Sequence, residues 1–420
     1  MATTPDPQFQ EDPTWPAWFR ELQHQAWEEF LSIPTPSRNQ ESWRFSNVRA
    51  LELTDLHYQT LTDSSSLLEN SVGLASDATR LVFANDSLIS QETKNLPAGV
   101  VVAPLKSAIQ THENLMREYF MKQPIELGSH KYALWHQASL RNGVLIYVPP
   151  HTTVKFPVEI FSWLGGTNTL LFPHTLIICG EHSRITVLDH FRSTSSDSHG
   201  FVCGINDLHL AAGAEVTYAA IQDWSSTTRA LHLNSTLIGK DAKATVFQAN
   251  FGAGFLRSES LSRLTGRNAR SIMLSITPAS GVREIDQRTL QDHAAPNTSS
   301  DLLYHNTLDD SARTTFAGLI RVESDAHQTD AYQKVRNLIL SDAAEANSMP
   351  GLEILADNVR CTHGATSGQI NEDELFYMQA RGIPASQGRR LIANGFLASV
   401  LERMENPALR EFIMRRLVHS

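Results

Sequence analysis

A repeat of about 30 residues in the middle of the chain constrains its fold more than any other feature of the sequence. A Gly, His, Asp or Asn followed by a small residue recurs at intervals of 31, 31, 28 and 27 residues. The five pairs are His151-Thr152, His182-Ser183, Gly213-Ala214, Asp241-Ala242 and Asn268-Ala269. A fixed period with small residues at its corners predicts a β-solenoid, because each coil buries its inward side chains on neighbouring coils and leaves little room at the corners.

A strand-like run follows each corner. The predicted strands begin at Val154, Ile185, Val216, Thr245 and Ser271. The alternative is a β-sandwich, whose turn signals usually recur every ~8–12 residues. We favour the solenoid because the observed spacing is more than twice as long. After Asn268 the repeat becomes irregular, although residues 313–329, 334–340 and 352–366 still have the composition of strands.

Helical patterns flank the repeat on both sides. They predict three parts: a helical and mixed α/β region at 1–131, a β-helix core at 132–370 and a helical domain at 371–420. The fold class expected is therefore mainly β, with a parallel β-helix between N-terminal and C-terminal helical parts.

The N-terminal part is expected to contain an amphipathic helix. Apolar residues recur at three- and four-residue spacing from Trp15 to Phe30, with Thr14 as the cap and Pro16 in the first turn. The simplest role of its aromatic face is packing in the core. A second helix is predicted around residues 106–120.

Three helices are predicted after the repeat. The first has Asn371 as its cap and stops at Gly382, the second carries an apolar stripe from Ala393 to Met404, and the third starts at Asn406-Pro407. We expect this unit to cap one end of the solenoid, whose last coil otherwise exposes its strand edges.

Charge and composition exclude several classes of partner. A net charge of −10 and a pI near 5.9 argue against binding to nucleic acid or to an anionic membrane, which requires a basic face. No run of 18 apolar residues is present, and the N-terminus lacks the layout of a secretory signal. Three scattered cysteines do not form a disulfide framework. These features predict a soluble, cytoplasmic protein.

Cys361-Thr-His363 is the strongest candidate for chemistry. Successive side chains of a strand point to opposite faces, so Cys361 and His363 share one face with Cα atoms roughly 6.5–7 Å apart. A thiolate and an imidazole on one face can converge on one metal ion or one sulfide cluster, but such a site usually takes four ligands. Any metal would need ligands from elsewhere in the chain or from a partner. The other reading is a small buried Cys beside a His that hydrogen-bonds to backbone.

Other chemistry has weaker support. Cys179 and Cys203 lie in apolar runs and are expected to be inert core thiols. No nucleophile elbow, phosphate-binding loop, dinucleotide fingerprint or zinc-protease helix occurs in the sequence. A β-helix polysaccharide hydrolase or lyase would need stacked carboxylates. Its candidates are Asp286, Asp292, Asp301, Asp309 and Asp310, most of which adjoin turn residues.

Several longer motifs resemble one known family. They are His293-Ala-Ala-Pro-Asn-Thr-Ser-Ser-Asp-Leu-Leu-Tyr, Leu308-Asp-Asp-Ser-Ala-Arg, Phe316-Ala-Gly-Leu-Ile, Arg336-Asn-Leu-Ile-Leu-Ser, the run from Leu352 to Thr366, and Leu375-Phe-Tyr with Arg381-Gly-Ile. Together they resemble the shared core of the SufB/SufD iron–sulfur assembly proteins. Weaker likeness extends upstream through Gly143-Val-Leu-Ile-Tyr-Val-Pro-Pro and Glu41-Ser-Trp-Arg-Phe, so the resemblance spans nearly the whole chain.

Within that family, Cys-Thr-His-Gly-Ala-Thr at 361–366 resembles the SufD branch. The SufB branch carries a Glu-His-Glu-Ala-Thr type of sequence there and a cysteine on the preceding strand. The corresponding run here, Leu352-Glu-Ile-Leu-Ala, has no cysteine.

The resemblance implies a right-handed parallel β-helix and a scaffold complex of SufB, SufD and two copies of the ATPase SufC. It further implies that a transient iron–sulfur cluster forms at the SufB–SufD interface, where His363 would face a SufB cysteine. Cys361 matches the family's cysteine, and of the two residues His363 is the first expected ligand. The C-terminal helices would dock SufC, and a reduced flavin has been associated with the complex. On this reading the chain is not an enzyme. The competing functions are the hydrolase or lyase and a purely structural solenoid that works as a homodimer.

Overall fold

Strands dominate the computed structural model, which describes residues 9–61 and 64–419. The strands are β1 Thr79–Ala84, β2 Ser87–Glu92, β3 Val101–Pro104, β4 Val144–Val148, β5 Val158–Leu164, β6 Thr169–Leu171, β7 His174–Cys179, β8 Arg184–Ser193, β9 Gly200–Leu210, β10 Glu215–Asp223, β11 Arg229–Ile238, β12 Lys243–Asn250, β13 Phe255–Leu264, β14 Arg270–Ala279, β15 Glu284–His293, β16 Ser299–Leu308, β17 Arg313–Val322, β18 Asp330–Ile339, β19 Glu345–Ile354 and β20 Arg360–Gln369.

Two helices precede the strands, three lie between β3 and β4, and three follow β20 in the described residues. They are α1 Ala17–Ser32, α2 Ser65–Asn70, α3 Leu105–Thr111, α4 Glu113–Tyr119, α5 His130–Ser139, α6 Glu372–Ala380, α7 Ala385–Leu401 and α8 Pro407–His419, with short 3₁₀ turns at Glu41–Trp43 and Val48–Leu51. In the described part of the chain, no helix has both the length and the apolar character needed to cross a membrane.

Two parallel sheets wind around one lumen. Sheet I has the strand order β2-β1-β5-β8-β10-β12-β14-β16-β18-β20, and sheet II has the order β19-β17-β15-β13-β11-β9-β7-β4-β3, with β6 paired to β9 beside it. From β7 onwards, strands along the chain alternate between the sheets, and each pairs in parallel with its counterpart one coil away. The predicted β-solenoid is confirmed.

The corners of the coils explain the repeat. Eight residues with φ between 55° and 67° mark one corner of successive coils. They are His151, His182, Gly213, Asp241, Asn268, Asn297, Gln328 and Asn358. The first five are the predicted corners. The expectation that the repeat becomes irregular after Asn268 is wrong, because the coils continue with the less typical pairs Gln328-Thr329 and Asn358-Val359. In the first coil, the strand begins at Val158 and not at Val154.

An apolar core fills the lumen of the early coils and becomes discontinuous in the later ones. The main lumen cluster runs from β1 to β15 and includes Ile146, Ile177, Val187 and Leu208. Beyond it, only small apolar clusters remain, such as the one around Leu302, Tyr304 and Phe316. Hydrogen-bonded polar side chains fill the space between them, as described below.

Helices α1, α3, α4 and α5 cover the outer face of sheet II, while α2 packs on sheet I through Leu67. Phe30 and Trp135 pack on sheet II against Phe201 and other outward side chains of β9, β11 and β13. The helix predicted from Trp15 to Phe30 is confirmed in its core role, but its predicted cap is wrong: α1 starts after Pro16, and Thr14 instead bonds to Asp12. The helix predicted at 106–120 is two helices, α3 and α4, which meet at His112.

The C-terminal helices do not cap the end of the solenoid, so that prediction is wrong. Leu397 and Val400 of α7, with Ile413 of α8, pack on the outward apolar residues of β8 to β16 in sheet I. An apolar helix stripe gains most by covering an apolar sheet face, whereas a bare strand edge offers polar backbone groups that a helix cannot pair. The predicted cap of α6 is confirmed, since Asn371 Oδ1 accepts the Asp373 N–H at 2.9 Å.

Candidate functional site

Cys361 and His363 lie on β20, the last strand of sheet I. In the parallel register with β18, Cys361 is opposite Ala331 and His363 is opposite Gln333. Ala331 and Gln333 are both buried in the lumen. Cys361 and His363 therefore share the inner face of the coil, as their spacing predicts. Because no further coil stacks on β20, this inner face is open at the end of the solenoid.

The environment of Cys361 is mostly apolar. The side chain packs against a small cluster that contains Ile320, Val322, Ala331 and Ala356. Burial, and to a smaller extent the nearby carboxylate of Asp330, raise the pKa of the Cys361 thiol. The thiol is therefore protonated at neutral pH, and a metal ion or a sulfide would have to displace its proton. Cys361 is the only one of the three cysteines that reaches solvent.

The side chain of His363 is exposed and makes no hydrogen bond within residues 9–61 and 64–419, while its backbone lies in the ladder with β18. Directly behind it in the register, Gln333 is 2% exposed and its Oε1 has no partner there, while its Nε2 donates to Thr289 Oγ1 at 3.4 Å. A buried acceptor without a partner is costly. The pair therefore presents a free imidazole above an unsatisfied amide oxygen, an arrangement suited to receiving a ligand or a proton donor.

A ladder of amides and hydroxyls leads through the lumen to the same open face. Asn306 Nδ2 donates to Asn337 Oδ1 at 2.9 Å, and Asn337 Nδ2 donates to Ser367 Oγ on β20 at 3.1 Å. Asn306 also donates to Gln287 Oε1, one step further inside. The last coils are thus held by polar contacts rather than by a continuous apolar core.

The open end also exposes strand edges and apolar side chains. The strands β19 and β20 are the terminal strands of sheets II and I, and most of their residues are exposed or half-buried. The large apolar side chains exposed on or beside these last coils are Tyr332, Leu352, Ile354 and Leu355. A bare strand edge beside apolar side chains favours pairing with another chain.

Cys361 and His363 can supply half of a four-ligand N/S site. Among residues 9–61 and 64–419, no group of three or more His, Cys, Asp or Glu residues is placed to hold a metal ion. A thiolate and an imidazole bind iron and iron–sulfur units well, and two ligands alone allow a cluster to leave again.

The other cysteines and the carboxylates lie elsewhere. Cys179 and Cys203 are buried, and burial raises the pKa of the Cys179 thiol to about 12, so both are core thiols as expected. Asp286 and Asp292 are bound by arginines, with Arg288 Nε 2.6 Å from Asp286 Oδ1 and Arg321 Nη2 3.0 Å from Asp292 Oδ2.

The remaining acids are dispersed. Asp301 pairs with Arg403 at 2.8 Å, while Asp309 and Asp310 form a turn. The five acids do not converge on a cleft as an acid and base pair, and nothing in the structure favours the hydrolase or lyase.

Sequence reasoning missed the residues behind the site. Gln333, Asn337 and Ser348 line the lumen next to β20. Gln333 and Ser348 lie outside the motifs quoted above, and Asn337 lies within Arg336-Asn-Leu-Ile-Leu-Ser without being singled out there. The signal that could have found them is the repeat itself. Asn306 and Asn337 are 31 residues apart, and Asn337 and Ser367 are 30 apart, which places all three in one column of the solenoid.

A second exposed apolar surface lies on the C-terminal helices. Phe376 and Tyr377 of α6 are 72% and 60% exposed, and Leu391 of α7 is 46% exposed. Their neighbours Leu375 and Leu397 are buried against the sheet, so the helices use one face for the solenoid and leave another free.

Comparisons with known proteins give a consistent result over nearly the whole chain. Residues 14–160 match the family model of the SufBD protein N-terminal region, and residues 162–396 match that of the SUF system FeS cluster assembly SufBD core domain. The chain is 27% identical to the iron–sulfur cluster assembly protein SufD of Bacillus subtilis, over 94% of this chain and 92% of that protein.

Two further relatives place this match within the family. SufD of Escherichia coli is 25% identical over 93% of this chain and 90% of its own length. SufB of Bacillus subtilis is 25% identical over 71% of this chain and 64% of its own length. The resemblance to SufB/SufD proteins predicted from the motifs, and within them to SufD, is confirmed.

Proposed function

Because this chain belongs to the SufBD family of iron–sulfur cluster assembly proteins, we propose that it is a non-catalytic scaffold subunit that contributes ligands to a cluster formed at an interface with SufB. The observation that carries the proposal is the open face of β20, where Cys361 and His363 share the inner side of a coil with no coil stacked on it.

The bare end of the solenoid supports SufB as the partner at this face. SufB is a relative of this chain, so a similar end on its solenoid could pair with β19 and β20 as further strands. Such pairing would bury Leu352 and Ile354 and bring SufB side chains next to His363. A SufB cysteine opposite His363 would complete the ligand set.

The ligand chemistry fits a cluster that is built and then released. His363 is exposed and binds iron as a neutral imidazole, so it is the first ligand we assign. Cys361 is half-buried with a raised pKa, and its thiol must lose a proton before it binds. We assign it as a second ligand that binds after His363. Gln333 behind the imidazole would fix its orientation.

We propose that the ATPase SufC docks on the exposed face of α6 and α7 around Phe376, Tyr377 and Leu391. These helices also pack on sheet I, so ATP-driven dimerisation of two bound SufC subunits would push on the solenoid and shift it against SufB. The shift would expose the ligands to iron and to sulfur delivered as persulfide on SufB. We assign any reduced flavin to the assembled complex and not to this chain alone.

The three free thiols suit a reducing cytoplasm, where we place the complex. Isolated chains could also pair through the same bare edge as a homodimer. This homodimer is the basis of the alternative function, a purely structural solenoid.

The test is anaerobic reconstitution of the complex from this chain, its SufB and its SufC, with iron, sulfide and a reductant. We expect His363→Ala to abolish most of the cluster yield, measured by absorbance and by bound iron and sulfide, and Cys361→Ala to lower it by a smaller factor. His24→Ala, which changes an exposed histidine on α1, is the matched control and should leave the yield unchanged.

Two results would contradict the proposal. Unchanged cluster yield in both His363→Ala and Cys361→Ala would remove the site. Failure of the wild-type chain to co-purify with SufB and SufC would remove the scaffold function.

A further inference from the structure

A cleft on the outer face of sheet II is not used by the proposed function. It lies between sheet II and the segment 121–129, called here the strap, which links α4 to α5. Its volume is about 130 Å³. The floor and wall are apolar, with Leu134 from α5 and Ile205, Leu233 and Leu261 from the outer face of the sheet, all buried.

The strap is tied down along its length but does not fill the space beneath it. Met121 N donates to Asp207 Oδ2 at 3.1 Å, Gln123 Nε2 donates to Leu208 O at 3.2 Å, and Leu127 O accepts from Arg257 Nη2 at 2.8 Å. Protein interiors are normally close-packed, and a cavity lowers stability. A cavity that stays open beneath the fixed strap is therefore typical of a ligand-binding site.

Three carboxylates line the cleft, and two of them are already neutralised. Glu126 pairs with Arg263 at 2.6 Å and with Arg321 at 3.0 Å. Glu259 accepts from Arg257 Nε at 2.7 Å.

Asp207 is different. It is 3% exposed, and the nearest basic group is His174 Nε2 at 3.9 Å from its Oδ2. Burial lowers the pKa of His174 well below its usual value, so this imidazole is neutral, and burial raises the pKa of Asp207 to about 7. The cleft therefore contains one acidic group without a cationic partner.

We propose that this cleft is a binding site for a small amphipathic amine, whose ring-sized apolar part lies on Leu233 and Leu261 and whose ammonium group pairs with Asp207. A cavity of about 150 Å³ holds a benzene-sized group, so one ring fits. An ammonium donates to a carboxylate with a charge-assisted hydrogen bond, and the apolar surroundings strengthen that bond. An anionic ligand would meet a carboxylate and is excluded.

Phenethylamine is the probe, because it joins one phenyl ring to one primary ammonium. Its binding to the full chain is measured by isothermal titration calorimetry and ligand-detected NMR, beside 3-phenylpropionate, which has the same ring and an anionic end. We expect saturable binding of phenethylamine at least about tenfold tighter than that of 3-phenylpropionate, a difference of about 1.4 kcal/mol.

Asp207→Asn keeps the shape and an acceptor for Met121 N–H, and should weaken phenethylamine binding by about tenfold or more. Asp197→Asn, the same change on an exposed turn, is the matched control and should have no effect. Failure of phenethylamine to saturate the wild-type chain, equal affinity for the two probes, or unchanged affinity in a folded Asp207→Asn variant would each overturn the proposal. The comparison of the two probes needs no variant, so it holds even where Asp207→Asn does not fold.

Discussion

The two ends of the solenoid are built differently. At the first end each sheet continues into an antiparallel strand, since β1 pairs with β2 in sheet I and β3 pairs with β4 in sheet II. At the last end, β19 and β20 pair in parallel with the previous coil and have bare outer edges. All seven residues of β5, near the first end, are buried. All ten residues of β20 are exposed or half-buried, and β20 pairs with a neighbouring strand along one edge only.

The difference extends into the lumen. Early coils enclose one continuous apolar cluster, while the last coils alternate small apolar groups with a column of amides and hydroxyls. An apolar interior at an open end would expose a large hydrophobic surface in the free chain, whereas a polar one tolerates water. The first end is therefore closed around an apolar core, whereas the last end leaves its strand edges and its polar lumen open.

The largest difference in stability should appear when an isoleucine is changed to alanine at one end and, in a separate variant, at the other end. Ile177 fills the lumen in an early coil and is fully buried, while Ile354 is 40% exposed at the open end. Ile177→Ala should lower the free energy of unfolding by about 3 kcal/mol, because it leaves a cavity. Ile354→Ala should lower it by less than about 1 kcal/mol. Urea denaturation of both variants is the measurement. Equal losses would show that the two ends contribute alike to stability.

A buried carboxyl in the early coils should make stability depend on pH. Asp189 accepts hydrogen bonds from Thr175, Asn206 and Tyr218 inside the lumen, and burial raises its pKa to about 6. Its pKa in the unfolded chain is about 3.9. Below about pH 4 both states hold the proton. Above it the unfolded chain releases the proton that the folded chain keeps, so stability falls as the pH rises towards about 6, by up to about 3 kcal/mol.

The Asp189→Asn variant isolates this contribution. Its free energy of unfolding, measured in urea at a series of pH values, should fall less steeply between about pH 4 and pH 6 than that of the wild type. Asp197→Asn, on an exposed turn, should keep the wild-type slope. Parallel curves for wild type and Asp189→Asn would contradict the assigned pKa.

The column of amides and hydroxyls should contribute less to the free energy of unfolding than the apolar lumen does, but its contribution should be measurable. Asn337 is 4% exposed and joins Asn306 to Ser367. Asn337→Ala removes these two bonds and a third to Ser348 Oγ, and it takes one partner from the buried amide of Asn306. We therefore expect a loss of about 2 kcal/mol in the free energy of unfolding. Asn347→Ala, an exposed amide on β19, is the control and should cost less than about 0.5 kcal/mol. A loss no larger than that of the control would mean that the column does not stabilise the last coils.

The sequence predicts the solenoid well because its corners obey a local rule. A residue in the left-handed conformation must be Gly, Asn, Asp or another tolerant residue, and this requirement leaves a visible period. The rule weakens at Gln328 and at Asn358-Val359, where tertiary stacking holds a less favourable residue or neighbour in place. The last coils therefore looked irregular in sequence although they are regular in space.

The candidate site, like the solenoid, could be predicted from the sequence only in part. That Cys361 and His363 share a face follows from strand geometry alone, but that this face is open depends on where the C-terminal helices pack. Their apolar stripes are visible in sequence, and the sheet face that receives them is assembled from Leu188, Phe247, Leu274 and other residues far apart in the chain. The unsatisfied Gln333 behind His363 likewise appears only once the coils are in register.

The substitution with the smallest expected effect on stability, Leu352→Asp, should strongly weaken binding to SufB. Leu352 is 38% exposed on the inner side of the bare strand β19, so Leu352→Asp should change the free energy of unfolding by less than about 0.5 kcal/mol. If SufB covers this end, the same change buries an unpaired carboxylate in the interface and should weaken the complex by a factor of about 100 or more. Val282→Asp, at a position that is 82% exposed on a turn away from this end, is the control. Affinities measured by biolayer interferometry, with melting temperatures alongside, separate the two effects. An affinity for SufB that is equal in Leu352→Asp and Val282→Asp would place the interface elsewhere and leave the open end without a partner.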